Sequence, residues 1–216
     1  MGEYVFTDIE IDAIGEISNI CLGNSATTLG MLVRQPVDIT PPSVTIIEKS
    51  EYVKKVSYKR VFVKVSYVEG IQGCSILMLD EKDAKAIADL MIGGDGKGSF
   101  AQMELGEMHI SAVSEAMNQM MGAAATSMSV MLDRKTDISI PDTKYMEGGE
   151  YLACEFPHDD KFVKVNFRMK IGDIIDSPVV QLYPHNLGKA ISDLFLMKKK
   201  RMSLLGIPHA LASSST

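Results

Sequence analysis

Glu16 and Asn19 stand three residues apart, and Glu115 and Asn118 repeat the pair 99 residues later. Asparagine does not titrate and cannot serve as a general base. Its amide can accept a hydrogen bond from one water and donate another to it, which fixes that water's direction. The neighbouring carboxylate can pair with a cation on a partner. No nucleophile with an adjacent base accompanies either pair. The chemistry open to such a set is to orient water against an electrophile that another molecule brings, as glutamine does in GTPases.

Each pair belongs to a longer stripe. Asp12, Glu16 and Asn19 occupy i, i+4 and i+7, with Gly23 continuing the line; Ser111, Glu115, Asn118 and Gly122 form the matching line. On a helix this spacing puts each set on one face. Ile14, Ile17 and Cys21 fall behind the first stripe, and Val113, Met117 and Met120 behind the second, so these are predicted to face the core. A proline follows each asparagine after 22 intervening residues, Pro42 and Pro141. A lone polar stripe is ordinarily a solvated helix face, and a lone proline a turn or a strand entrance. A solvated face exchanges Glu for Lys or Gln freely, yet both copies keep Glu and Asn at one register.

The stripes sit inside an internal duplication. Residues 12–42 laid on residues 111–141 match at nine of 31 positions, where chance gives about two at roughly 5–7% per position. Phe62-Val63-Lys64-Val65 recurs as Phe162-Val163-Lys164-Val165. Two homologous halves, about 5–99 and 103–201, are predicted within one domain over 1–201. Each half opens with a long helix (8–33 and 104–133) and closes with a shorter one (81–92 and 186–200). Thr7 and Glu10 have capping-box spacing before the first long helix; Gly106-Glu107 marks the first turn of the second. Strands are predicted at 44–47, 61–68, 74–79, 162–169 and 179–182 from β-branched content. Val61, Val63 and Val65 alternate with Phe62, Lys64 and Ser66, which gives one apolar and one mixed face. Consecutive strands with helices at the ends point to an α+β fold, an antiparallel sheet with helices on one face. Residues 202–216 turn small and polar and read as a linker or disordered tail.

Composition narrows the function further. The 216 residues carry a formal net charge of −6 and a pI near 5.3, which argues against a nucleic-acid partner. No apolar run reaches the ~18–20 residues of a membrane span, and no secretory leader pattern opens the chain. Cys21, Cys74 and Cys154 form no CxxC and leave an odd thiol, which suits a reduced cytoplasm. Gly93-Gly94-Asp95-Gly96-Lys97-Gly98 lacks the P-loop pattern and follows a helix rather than a strand, so it reads as a helix stop. His158-Asp159-Asp160 reads as an exposed turn, since no metal-ligand spacing includes it. Met117, Met120, Met121, Met128 and Met131 read as core filling. Lys198-Lys199-Lys200-Arg201 reads as complementing a helix C-terminus.

Asp/Ser-x-x-x-Glu-x-x-Asn with a proline after 22 residues, present twice, resembles the signature of the CheC/CheX/FliY phosphatases of bacterial chemotaxis. The likeness covers about residues 8–200. Asp12–Glu16, Ala88–Gly98 and Glu115–Gly122 look most like the flagellar motor switch member of that family. The resemblance implies a pseudo-twofold fold with the two signature helices side by side on one face of the sheet. It implies a protein aspartyl-phosphate phosphatase acting on phosphorylated CheY. Glu16 and Glu115 would pair with a lysine of CheY, and Asn19 and Asn118 would orient water for in-line attack on phosphorus. Asp12, Ser111, Pro42 and Pro141 would shape the surface. No cofactor of the chain's own is implied; Mg²⁺ would be held by CheY. The flagellar switch proteins FliM, FliG and FliN-like modules are implied partners for a motor switch member, and CheD for a free-standing CheC. The implied location is the cytoplasm, at the cytoplasmic face of the flagellar basal body. The competing reading is a scaffold of the switch complex that docks CheY without chemistry.

Overall fold

The computed structural model describes residues 4–56 and 58–205. In chain order its elements are α1 (Asp8–Val33), β1 (Val37–Ile39), β2 (Ser43–Glu48), α2 (Lys49–Lys55), β3 (Lys59–Glu69), β4 (Gly73–Leu79), α3 (Glu81–Met91), α4 (Ser99–Gln102), α5 (Glu107–Leu132), β5 (Asp137–Ile138), β6 (Asp142–Glu147), α6 (Gly148–Glu155), β7 (Lys161–Ile171), β8 (Ile175–Pro184) and α7 (His185–Leu204). The two long helices fall where the stripes require them. Of the linker or disordered tail expected over 202–216, residues 206–216 lie outside the described residues, and α7 runs on through Met202 to Leu204.

The strands form one antiparallel sheet in the order β1-β7-β8-β4-β3-β5, with β2 also on β7 and β6 also on β3. Its centre is the β4–β8 pair, where Leu77 lies opposite Gln181. Equivalent antiparallel strands are related by a local twofold normal to the sheet. The same axis makes α1 and α5, which lie on the sheet, antiparallel to each other.

The halves are interlocked. The strands that follow α1 pair with β7 of the second half, and those that follow α5 pair with β3 of the first. Val61, Val63 and Val65 of β3 and their counterparts Val163 and Val165 of β7 pack in one core with Ile14, Ile17, Met117, Met120, Ile87 and Ile191. Helices α1, α3, α5 and α7 therefore share one face.

Helices are not confined to that face. Phe62, Ile76, Met78, Phe162, Val180 and Leu182 point the other way, into a second core roofed by Tyr52 of α2 and Tyr151 and Leu152 of α6. Phe62 stacks on Tyr151 with ring centroids 4.2 Å apart. The face read as mixed is apolar at these positions. Its covering helices, seven and eight residues long, are too short for a helical period to show in sequence.

Helix α1 starts with a reciprocal capping box and α5 with one half of it. The Thr7 N–H donates to Glu10 Oε2 at 2.9 Å, and the Glu10 N–H returns a bond to the Thr7 hydroxyl. In α5 the corresponding position is His109, and the Gly106 N–H donates to its Nδ1 at 3.2 Å. The ring then stacks on Phe100 at 4.0 Å, with Nε2 2.8 Å from the Phe100 carbonyl. Each helix ends on a left-handed residue, Arg34 or Asp133.

Glu10 also ties α1 to α7 through Lys189, 3.2 Å away. Burial pushes its carboxyl up, but hydrogen bonds from Tyr4, from the Thr7 amide and hydroxyl, and from Lys189 outweigh burial and hold it at about 2. A carboxyl depressed on folding contributes stability that is present above its unfolded value of 4.5 and lost as pH falls toward 2. Glu10→Gln is therefore expected to lower the melting temperature at pH 7 and to flatten its decline between about pH 4.5 and 2, read by thermal melts across that window.

Candidate functional site

Helix α1 turns Ile14, Ile17 and Cys21 into the core at 4% exposure or less and leaves Asp12, Glu16, Asn19 and Gly23 exposed. Helix α5 does the same with Val113, Met117 and Met120 buried, Ser111 and Glu115 exposed, and Asn118 half-buried. Pro42 and Pro141 immediately precede β2 and β6, the strands that cross to the other half's hairpin. Proline suits a strand's first residue, where no ladder donor is required. Pro42 is half-buried and Pro141 buried, so neither presents an open surface.

The two Glu/Asn pairs do not form one site. The Asn24 amide donates to the Ser127 hydroxyl at 2.8 Å, which sets the level at which α1 meets α5. Asn19 lies five residues before that contact and Asn118 nine before it, on antiparallel helices. At 1.5 Å per residue the asparagines are on the order of 20 Å apart along the helix axes. Each pair stands apart from the other on its own helix.

The surroundings of the two pairs differ. The Lys199 ammonium of α7 donates to Glu16 Oε2 and also sits 4.7 Å over the Phe195 ring. Glu115 instead accepts 2.9 Å from the Gln119 amide of its own helix. The basic run at 198–201 does complement a helix C-terminus, but that of α5. Lys198 donates to the Val130 carbonyl at 2.6 Å, and Arg201 pairs with Asp133. Lys199 was missed as a site residue because its partner is 183 residues away in sequence, in the opposite half.

Other candidates resolve into structure. The glycine-rich run after α3 wraps a carboxylate of its own chain: the Gly96 N–H donates to Asp89 Oδ2 at 2.8 Å, and a Cβ on Gly94 would lie 2.1 Å from the same oxygen. Asp89 fills the place an external phosphate would need. His158 is exposed in the turn after α6, and Met117, Met120, Met121, Met128 and Met131 of α5 are buried. Among the described residues, no three His, Cys, Asp or Glu side chains gather as a metal site. The three cysteines are free, with Cys21 buried and its thiol pushed up to about 12 by burial. No described helix is long and apolar enough to cross a membrane.

The two Glu/Asn stripes on α1 and α5 coincide with what comparison with known proteins finds. The model of the CheC-like family matches residues 9–46 and 108–145, one match for each stripe. The chain is 50% identical over 184 residues to the flagellar motor switch phosphatase FliY of Bacillus subtilis, covering 85% of this chain. It spans about half (48%) of that relative's length. The crystal structure of Thermotoga maritima FliY superposes with a TM-score of 0.81 at 37% identity, over 90% of this chain and all of that one. A chain of the FliG–FliM complex from H. pylori shares the fold at 16% identity and a TM-score of 0.69, over 87% of this chain and 100% of that one. Two copies of the signature, the interlocked sheet they stand on and these likenesses agree: the chain belongs to the CheC-like family and is similar to FliY in particular.

Proposed function

We propose that the chain hydrolyses the aspartyl phosphate of CheY at the flagellar motor switch, using Asn19 and Asn118 to orient the attacking water. The observation that carries this reading is the duplicated pair itself. Glutamate and asparagine recur at one register on the polar faces of two helices, with both glutamates exposed. Glu16 and Glu115 anchor a lysine of CheY, which brings its own Mg²⁺. The amides then hold water in line with the P–O bond that breaks. Catalysis of this kind is positioning, and this chain forms no covalent intermediate. Timing the decay of phosphorylated CheY in excess Mg²⁺, with the chain present in substoichiometric amount, tests the proposal. Turnover beyond one phosphate per chain supports it; an unchanged lifetime leaves only a docking module.

Lys199 makes the two sites unequal. A lysine of CheY must displace it from Glu16, whereas among the described residues Glu115 carries no cation to displace. An exposed ion pair contributes about 0.2–1 kcal/mol, so freeing Glu16 gains roughly two- to fivefold at most. In a chain reduced to its first site by Asn118→Ala, Lys199→Ala is expected to raise kcat/KM by that factor. In a chain reduced to its second site by Asn19→Ala, the same change is expected to do nothing. Equal responses in both backgrounds would show that Lys199 does not gate Glu16.

A further inference from the structure

Gly23 and Gly122 are identical in the two halves, sit in the middle of 26-residue helices, and stand one turn beyond Asn19 and Asn118 on the same face. Glycine there destabilises a helix relative to alanine, so some contact must require it. Elsewhere in α1 the contact is internal. A Cβ on Gly15 would meet Val44 at 3.6 Å, and one on Gly30 the Gln35 carbonyl at 3.0 Å. A Cβ on Gly23 or Gly122 would meet nothing within 4 Å. Nothing within the described residues calls for the missing side chain.

The other end of each face carries a second irregularity. Ile9 and Met108 are 66% and 71% exposed although both are large and apolar. They occupy the same register, seven residues before Glu16 and Glu115, which places them within about 20° of the glutamates around the helix. Exposed positions elsewhere in the duplicated segment vary: Arg34 faces Asp133 in the alignment, while Met31 and Val130, at the far end of the helices, are exposed and apolar in both copies. At 9 and 108 the residue has changed and the apolar character has not.

We infer that Gly23 and Gly122 are notches, and Ile9 and Met108 apolar anchors, that seat the surface of phosphorylated CheY surrounding its phosphoaspartate on either side of each Glu/Asn pair. The inference rests on the proposed function and extends it from the reacting groups to the docking footprint. A glycine one turn past the asparagine lets the partner's backbone approach the helix, which carries the amide toward the phosphoryl group. The apolar side chain about 10 Å away, by the helical rise, fixes the angle of approach.

The test separates docking from folding because the informative substitution should stabilise the chain. Gly23→Gln and Gly122→Gln place a good helix former where nothing is crowded, so together they are expected to raise the melting temperature by several degrees. They are also expected to raise KM for phosphorylated CheY on the order of tenfold with kcat little changed, about the loss of one well-packed interface contact. Ile9→Gln with Met108→Gln is expected to raise KM similarly at unchanged melting temperature. Affinity for CheY carrying beryllofluoride and Mg²⁺, an unreactive mimic, should fall in step. Stabilised Gly variants with wild-type KM and wild-type affinity for the mimic would overturn the inference while leaving the proposed function standing. If the wild-type chain does not speed the decay at all, the proposed function fails instead. The mimic then decides the footprint alone: weaker binding by the variants supports it, and unchanged or absent binding overturns it.

Discussion

Replacing Asn19 and Asn118 together by alanine is expected to return the decay of phosphorylated CheY to its unaided rate. An oriented polar group at a reacting centre is worth about 10²–10³ in rate. Asn19 and Asn118 are the groups expected to do this: Glu16 is held by Lys199, the Gln119 amide is engaged with Glu115, and neither carboxylate can both donate to and accept from a water as an amide does. The single variants should behave as independent sites, since the pairs share no side chain. They should not be equal. Asn19→Ala leaves the unencumbered second site and retains the larger share of activity; Asn118→Ala leaves the site Lys199 occupies and retains the smaller. Affinity for the beryllofluoride form of CheY should survive in the double variant, because the glutamates remain. A double variant as active as wild type would remove the water-orienting role from both asparagines.

Gly70→Ala is expected to be the most damaging single methyl added outside the site. The residue turns β3 into β4 at φ +83, and a Cβ there would lie 2.0 Å from the backbone carbonyl oxygen of Lys135. The left-handed conformation alone costs an L-residue roughly 1–2 kcal/mol. The clash must in addition displace residues 134–136, which run from the end of α5 into β5 and lie against the other half's hairpin. A total on the order of 3 kcal/mol corresponds to a fall in melting temperature of roughly 6–12 °C for a chain this long. Gly93→Ala provides the control. Its φ is +90, but nothing lies within 4 Å of the added carbon, so only the conformational part should appear. Equal losses in the two variants would mean that the contact with Lys135 yields without cost.

The same contact shows where reading the sequence succeeds and where it stops. The long helices were legible almost to the residue, because 26-residue helices with a buried stripe carry several turns of one period. The Thr7–Glu10 cap was legible as a local motif. Its counterpart was not, since a histidine ring rather than a carboxylate bonds the Gly106 amide. The duplication predicted two halves but not that β1 and β2 pair with β7 while β5 and β6 pair with β3. Strand exchange between repeats leaves each strand's own pattern unchanged. Helices α2 and α6 were missed for the same kind of reason: their apolar side chains answer Phe62 and Phe162, residues distant in the chain. At the site, the exposed pairs were readable from spacing, because a helix converts spacing into a face. Lys199 was not, because it reaches Glu16 from the far end of the other half.

Hydrolysis in ¹⁸O-labelled water, with phosphorylated CheY in large excess over the chain and Mg²⁺ present, reports where the water attacks and how often. Many phosphates are expected per chain, each carrying one labelled oxygen, with the CheY aspartate unlabelled, because the oriented water attacks phosphorus. Label in the aspartate, or release no faster than without the chain, would contradict attack on phosphorus directed by this chain.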